Sequence, residues 1–401
     1  MLPPRRRRRG TAATDDDDAS SPPLSNVTLR EYLSHPDGFH LGMGPAFFGF
    51  YAYFGALAAM NEEVRPPREE GGGREADGGA DGGADGGAGG EGSSSSSSSS
   101  RPPPPPLPVL LPTDANLARA GPGGARVLLR SVAGASAGAM AAVFLAAGAD
   151  PWETAQRCTE LAMGEVADFP ALGAVMVGDQ FERILREGLE RWGGGSARFE
   201  DAVLPVAVSG FDLLTMSGQL LTEGCMARAA RASATFPGLF QPVSWRDGTG
   251  GGRKGTDGGE RDGTGTGTGT GGLLASLLPN RLLVDGGIAD RFGLAGLAAA
   301  SAAEAEAEAE GDGLPRRIVN LNVGTIPSPP GPSDMPPGVR ATEVASISIE
   351  NLPRPAPWAM EEGPRAVEAA RRAVAAVLDV PMHLGREPGH YELCIDAAAF
   401  S

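Results

Sequence analysis

The stretch from Val127 to Pro151 constrains this chain more than any other. Val127-Leu128-Leu129-Arg130-Ser131-Val132 is a short apolar run that suits a buried strand. Gly134-Ala135-Ser136-Ala137-Gly138 comes next. Met140, Val143, Phe144 and Ala147 then recur at helical spacing, and Gly148 and Pro151 stand where a helix ends. Strand, sharp turn and helix in that order are the setting in which G-x-S-x-G presents a nucleophilic serine, here Ser136. Side chains at Gly134 or Gly138 would crowd the bend, and the serine at its apex takes strained backbone angles. The helix that follows aims unpaired N–H groups, and the positive end of its dipole, at the charge that builds on an attacked carbonyl. The plain alternative is a small-residue helix start without chemistry, in a chain that holds 60 glycines.

A second signal lies far downstream. Arg281-Leu282-Leu283-Val284 reads as a strand and runs into Asp285-Gly286-Gly287. A carboxylate at a strand's end, followed by two glycines, can approach a hydroxyl closely. Alone, Asp-Gly is a common turn; paired with the serine turn, it reads as a base.

With these residues the chain resembles the patatin-like phospholipase family, which pairs a G-x-S-x-G serine with an aspartate in D-G-A or D-G-G and uses no histidine. The segment Arg228 to Val243, with Ser233, Pro237, Phe240 and Pro242, is similar to that family's A-S-x-x-x-P-x-x-F-x-P stretch. The resemblance covers about Leu41 to Asn322, inserts aside. It implies a three-layer α/β fold with a mainly parallel central sheet and helices on both faces. It also implies Ser136 as nucleophile, Asp285 as general base, a lipid acyl ester as substrate, and neither metal nor cofactor.

The chain departs from the family's glycine-rich oxyanion loop, G-G-G-x-[RK]-G. The corresponding stretch is Leu41-Gly42-Met43-Gly44-Pro45-Ala46-Phe47-Phe48-Gly49. With Gly49 matched to the last glycine, Pro45 and Ala46 fall where two glycines are expected. Proline has no N–H to donate. Gly44, Ala46, Phe47 and Ala137 remain as oxyanion candidates.

Composition bounds the packed part. The 401 residues include tracts with little apolar surface: Gly/Asp/Glu repeats, a serine run and prolines over 65–106, Gly/Thr/Asp over 247–272, and Ala/Glu alternation over 303–313. Such tracts cannot offset the entropy of ordering, so they are expected to be disordered, as is an N-terminal tail over 1–24. One domain over 25–400 is expected around those inserts. A net charge of −16 argues against nucleic acid and against anionic membrane surfaces. Cys158, Cys225 and Cys394 show neither metal spacing nor a disulfide framework. The N-terminus lacks the apolar core of a secretory signal, which favours a cytoplasmic or peripheral-membrane setting.

Leu41 to Met60 carries no charged residue over 20 positions, the length of a membrane span. Gly42, Gly44 and Pro45 break it, so it divides better into a strand end, a turn and a buried helix from about Phe47. Its aromatic run from Phe47 to Phe54 suits core, and in a lipase also an acyl channel. Helices are expected over Phe181–Trp192, Glu223–Ser233 and Pro364–Leu378, and strands over Leu204–Ser209 and Arg317–Val323. Alternating strands and helices place active groups at the carboxyl ends of a parallel sheet. Ser136 and Asp285 both follow strand-like runs.

Three functions stay open on the sequence. The first is acyl-ester hydrolysis by Ser136 and Asp285. The second is an α/β-hydrolase triad in which His383 or His390 joins them. The third is a non-catalytic lipid-binding or scaffold protein, motivated by Pro45. Peripheral membrane contact accompanies the first and third.

Overall fold

The computed structural model describes residues 23–63, 107–113, 116, 125–161, 163–169, 174–245, 280–300, 316–324 and 328–400. The tracts expected to be disordered, 65–106, 247–272 and 303–313, lie outside these, as does nearly all of the expected tail. Leu24, the tail's last residue, already belongs to strand β1 (Leu24–Thr28).

The main sheet is built on six parallel strands: β2 (Phe39–Met43), β5 (Leu129–Ala135), β6 (Val206–Asp212), β10 (Arg317–Val323), β11 (Glu343–Glu350) and β13 (His390–Asp396). In space they run β13, β11, β10, β2, β5, β6. Antiparallel strands finish both ends. β12 (Pro381–Leu384) and β1 lie beyond β13, while β7 (Ser217–Leu221), β8 (Val243–Trp245) and β9 (Arg281–Val284) lie at the β6 end. Two short strands, β3 (Leu107–Val109) and β4 (Ala125–Val127), pair apart from this sheet.

Alternate residues of the parallel strands face opposite layers, as the two-residue pleat requires. Val132, Val319, Leu321, Ala345, Ile347 and Ile349 enter the larger core. Ala133, Ile318 and Val344 enter a smaller one with Leu294 and Leu297. Strands buried on both faces must be covered on both, so the fold is the three-layer α/β arrangement expected.

The larger core is roofed by α2 (Phe50–Glu63), α3 (Ala137–Ala146), α4 (Pro151–Thr159), α6 (Asp179–Trp192), α7 (Met226–Ser233) and α8 (Gly363–Val377); α1 (Leu29–Leu33) and α5 (Met163–Val166) are short. Helices α2 and α8 cross closely at Gly55, where an added Cβ would stand 2.1 Å from the Val367 carbonyl oxygen. Charge-free Leu41–Met60 is thus strand β2, a turn and a helix starting at Phe50, three residues later than expected. Tyr51, Tyr53 and Phe54 are core. No helix of the described residues is long and apolar enough to cross a membrane.

Candidate active site

Strand order explains how two distant residues meet. Residues Val208 to Asp212 of β6 pair with β7 along one edge. Its other edge is shared. β5 runs parallel beside Val206–Ser209 and stops there, while β9 approaches from the opposite direction beside Asp212 and Phe211. The carboxyl ends of β5 and β9 therefore point at each other across Gly210. The next residue of each is Ser136 and Asp285. Asp212 fixes the register of β9, accepting the Leu282 N–H at 2.9 Å.

At the junction Ser136 Oγ donates to Asp285 Oδ2 at 2.8 Å, and both side chains are buried. Ser136 has φ 54° and ψ −119°, a strained conformation for a residue with a Cβ. Both flanking glycines are demanded by close approach. A Cβ on Gly134 would lie 2.3 Å from the Gly138 carbonyl oxygen, and one on Gly138 would lie 2.2 Å from that of Met43. The glycines after Asp285 have separate reasons. A Cβ on Gly286 would meet the Ser209 carbonyl oxygen at 2.0 Å, and one on Gly287 would meet Pro45 at 2.6 Å. The Gly287 N–H donates to Asp285 Oδ1 at 2.8 Å.

Burial raises the Asp285 pKa above the usual carboxylate range; the hydrogen bonds from Ser136 and Gly287 act the other way without cancelling it. A desolvated carboxylate with a raised pKa is a stronger base toward a hydroxyl than one in water.

Two residues the sequence reading passed over hold this pair. Ser233, fully buried at the end of α7, accepts the Ser136 N–H on its Oγ at 2.8 Å. Thr235, two residues on, accepts the Asp285 N–H on its carbonyl at 3.0 Å. Both sit in the Arg228–Val243 segment, whose pattern was visible although the roles of its members were not. Asn322, in β10, is a third omission: a Cβ on Gly44 would fall 2.1 Å from its Oδ1.

The four oxyanion candidates differ. The Gly44 N–H donates to the Leu321 carbonyl at 3.3 Å, which continues the β2–β10 ladder. Among the described residues the N–H groups of Ala46, Phe47 and Ala137 make no hydrogen bond. All three residues line the same cavity as Ser136.

That cavity, about 330 Å³, has Ser136 and Asp285 at its floor and Met140, Phe181, Leu239 and Phe240 among its walls. Phe47, Phe48 and Phe50 line it too, while Phe50 also belongs to the core, so the aromatic run serves both core and cavity wall. Phe47 is 49 % exposed, and its ring lies 5.3 Å from that of Phe236 (48 % exposed) and 6.4 Å from that of Trp358 (80 % exposed). The mouth is thus rimmed by exposed aromatic side chains, with Ile288 beside them.

The histidines stand elsewhere. His390 opens β13 at its amino end, whereas Ser136 follows the carboxyl end of β5, and β11, β10 and β2 lie between those parallel strands. At about 4.8 Å per strand, the separation is roughly 19 Å before the offset along the strands is counted. His383 lies farther out, in β12. The expectation that either could complete a triad is corrected: the Asp285 carboxylate bonds Ser136 itself, with no imidazole between them.

A patatin-like phospholipase family match spans residues 115–298, a stretch that holds Ser136, Ser233 and Asp285 and leaves out the loop from Gly44 to Phe47. Such a match supports lipid acyl hydrolysis as the general class of activity. No curated protein matches the chain in sequence. Among solved structures, the crystal structure of VipD from Legionella pneumophila is similar at 14 % identity and a TM-score of 0.38, over 73 % of this chain and 51 % of that one. The chain thus spans about half the length of VipD. Over residues 115–298, just under half of its length, the chain is similar to the patatin-like phospholipase family, and its three-layer sheet is consistent with that likeness.

Proposed function

We propose that this protein hydrolyses acyl esters of lipids, with Ser136 as nucleophile and Asp285 as general base. The observation that carries the reading is the 2.8 Å bond from Ser136 Oγ to the Asp285 carboxylate at the floor of an apolar cavity. Asp285 takes the hydroxyl proton as Oγ attacks the ester carbonyl carbon. The tetrahedral oxyanion forms at the amino end of α3, before the N–H groups of Ala137, Ala46 and Phe47. On collapse the C–O bond to the alcohol breaks, and Asp285 returns its proton to the departing oxygen. The acyl group stays on Ser136. Asp285 then takes a proton from water as that water attacks the acyl carbon, and Ser136 leaves with the proton restored.

The apolar walls suit an acyl chain. The rim of Phe47, Phe236 and Trp358 suits contact with the lipid surface that supplies it, since aromatic side chains favour the membrane–water boundary. Phospholipid and acylglycerol both fit this chemistry. A short-chain ester assay comparing wild type with Ser136→Ala tests the reading. Hydrolysis lost with the hydroxyl supports it, and equal hydrolysis by both proteins rejects it.

Pro45 favours a second reading, a lipid-binding protein without turnover, because it removes one N–H from the loop facing Ser136. A fluorophosphonate probe separates the two, since only an activated serine is labelled.

A further inference from the structure

We propose that the Ser233 hydroxyl is a positioning residue that, together with the Thr235 carbonyl, sets the approach of Ser136 to Asp285. This rests on the reading of Ser136 and Asp285 given above and goes beyond it. Two residues of one segment, Ser233 and Thr235, hold both partners. Ser233 Oγ accepts the Ser136 N–H at 2.8 Å, and the Thr235 carbonyl accepts the Asp285 N–H at 3.0 Å. No other short segment among the described residues bonds the backbones of both.

The anchor of this clamp is itself fixed. Thr235 Oγ1 donates to the Arg231 carbonyl at 2.8 Å and accepts from Arg231 Nη1 at 3.2 Å. The Arg231 guanidinium, buried, donates also to the Val177 and Gly178 carbonyls. The end of α7 is thereby tied to the loop that opens α6. Ser233 also packs beneath the aspartate turn, since a Cβ on Gly286 would reach its Oγ at 2.9 Å.

The bond to Ser136 has two consequences. It holds an N–H that the strained φ of 54° leaves outside the α3 ladder, so the elbow keeps its shape without a ligand. It also assigns that N–H to the scaffold, which leaves Ala137, Ala46 and Phe47 as the donors facing the cavity. When the hydroxyl is removed, the buried N–H is unpaired and the elbow relaxes. The Oγ–carboxylate bond then loosens. Because that bond lowers the Asp285 pKa, Asp285 titrates at higher pH once it weakens.

The test uses Ser233→Ala and Ser233→Thr in the full chain. Ester hydrolysis is followed against pH, and the Asp285 carboxyl is titrated directly by carbon NMR. The alanine variant is expected to melt near wild type, to lose roughly ten-fold in kcat with KM little changed, and to move its acidic limb and the Asp285 titration to higher pH. Ser233→Thr keeps the oxygen and is expected to restore both. If threonine's methyl group unfolds that variant, the alanine variant's titration decides alone. An Asp285 titration unmoved in folded Ser233→Ala overturns the proposal, and so does a kcat loss that follows only the folded fraction. The titration needs no turnover. A wild type that hydrolyses nothing therefore counts against the proposed activity, while the clamp stands or falls on the carboxyl.

Discussion

Ser136 and Asp285, 149 positions apart in the chain, share a 2.8 Å hydrogen bond because β5 and β9 end facing each other on one edge of β6. No loop has to reach across to bring them together. The pair is a property of the sheet, and its precision is that of strand register rather than of flexible segments.

The first expectation concerns chemistry. Asp285→Asn keeps the shape of the side chain and removes the base. Turnover of a soluble ester is expected to fall by about 10²- to 10⁴-fold, with a smaller change in KM. Steady-state kinetics on the purified protein measure this, and a variant within a few-fold of wild type would remove Asp285 from the base's role.

Asp285 also has a stability signature. Its pKa is raised in the folded protein, so the folded state holds this proton more tightly than the unfolded one. The sign follows: folding is penalised once the pH is above the folded-state pKa, and the penalty disappears below the ordinary carboxylate range. Asp285→Asn is therefore expected to melt higher than wild type at neutral pH and to lose that advantage in acid. In catalysis the same shift puts the acidic limb of kcat/KM above the ordinary aspartate value. Melting curves and rate profiles over pH check both directions.

His40 works in the opposite sense. It is buried against Ser131, Nδ1 to Oγ 2.8 Å, and burial pushes its pKa down to about 4. The unfolded chain takes up this proton near pH 6.5 and the folded chain only near 4. Stability is thus expected to drop as the pH falls through that window, by an amount on the order of 3 kcal/mol. Denaturant melts of wild type and His40→Gln at pH 7 and pH 4.5 test this, with the variant showing the shallower loss.

Trp358 lies beside Phe47, a residue of the cavity wall, with ring centroids 6.4 Å apart and most of its surface in water. Trp358→Asp is expected to leave short-chain ester hydrolysis intact and to lower the rate on phosphatidylcholine vesicles roughly ten-fold, in line with the burial of one large apolar side chain. Equal losses on both substrates would place Trp358 in the fold rather than at the lipid surface.

Much of this was legible in the sequence for physical reasons. β9, β10 and α6 were visible because apolar periodicity and flanking glycines mark them. Ser136 stood out because its turn needs two glycines at fixed positions. β11 was not visible: Glu343-Val-Ala-Ser-Ile-Ser-Ile-Glu350 alternates small polar and apolar residues, yet Ser346 and Ser348 are buried in it. Ser233 escaped for a related reason. A serine at a helix end has many uses, and only strand topology brings its hydroxyl to the Ser136 N–H. The triad alternative failed on the same ground, since chain order permits a histidine that the sheet places several strands away.

Mass spectrometry of the intact protein after a fluorophosphonate probe, beside Ser136→Ala and Asp285→Asn, addresses the pairing of hydroxyl and carboxylate most directly. One adduct per chain on Ser136, absent from the alanine variant and much slower to form in the asparagine variant, is the expected result. Labelling that persists without the Ser136 hydroxyl, or that proceeds at the wild-type rate without the Asp285 carboxylate, would contradict it.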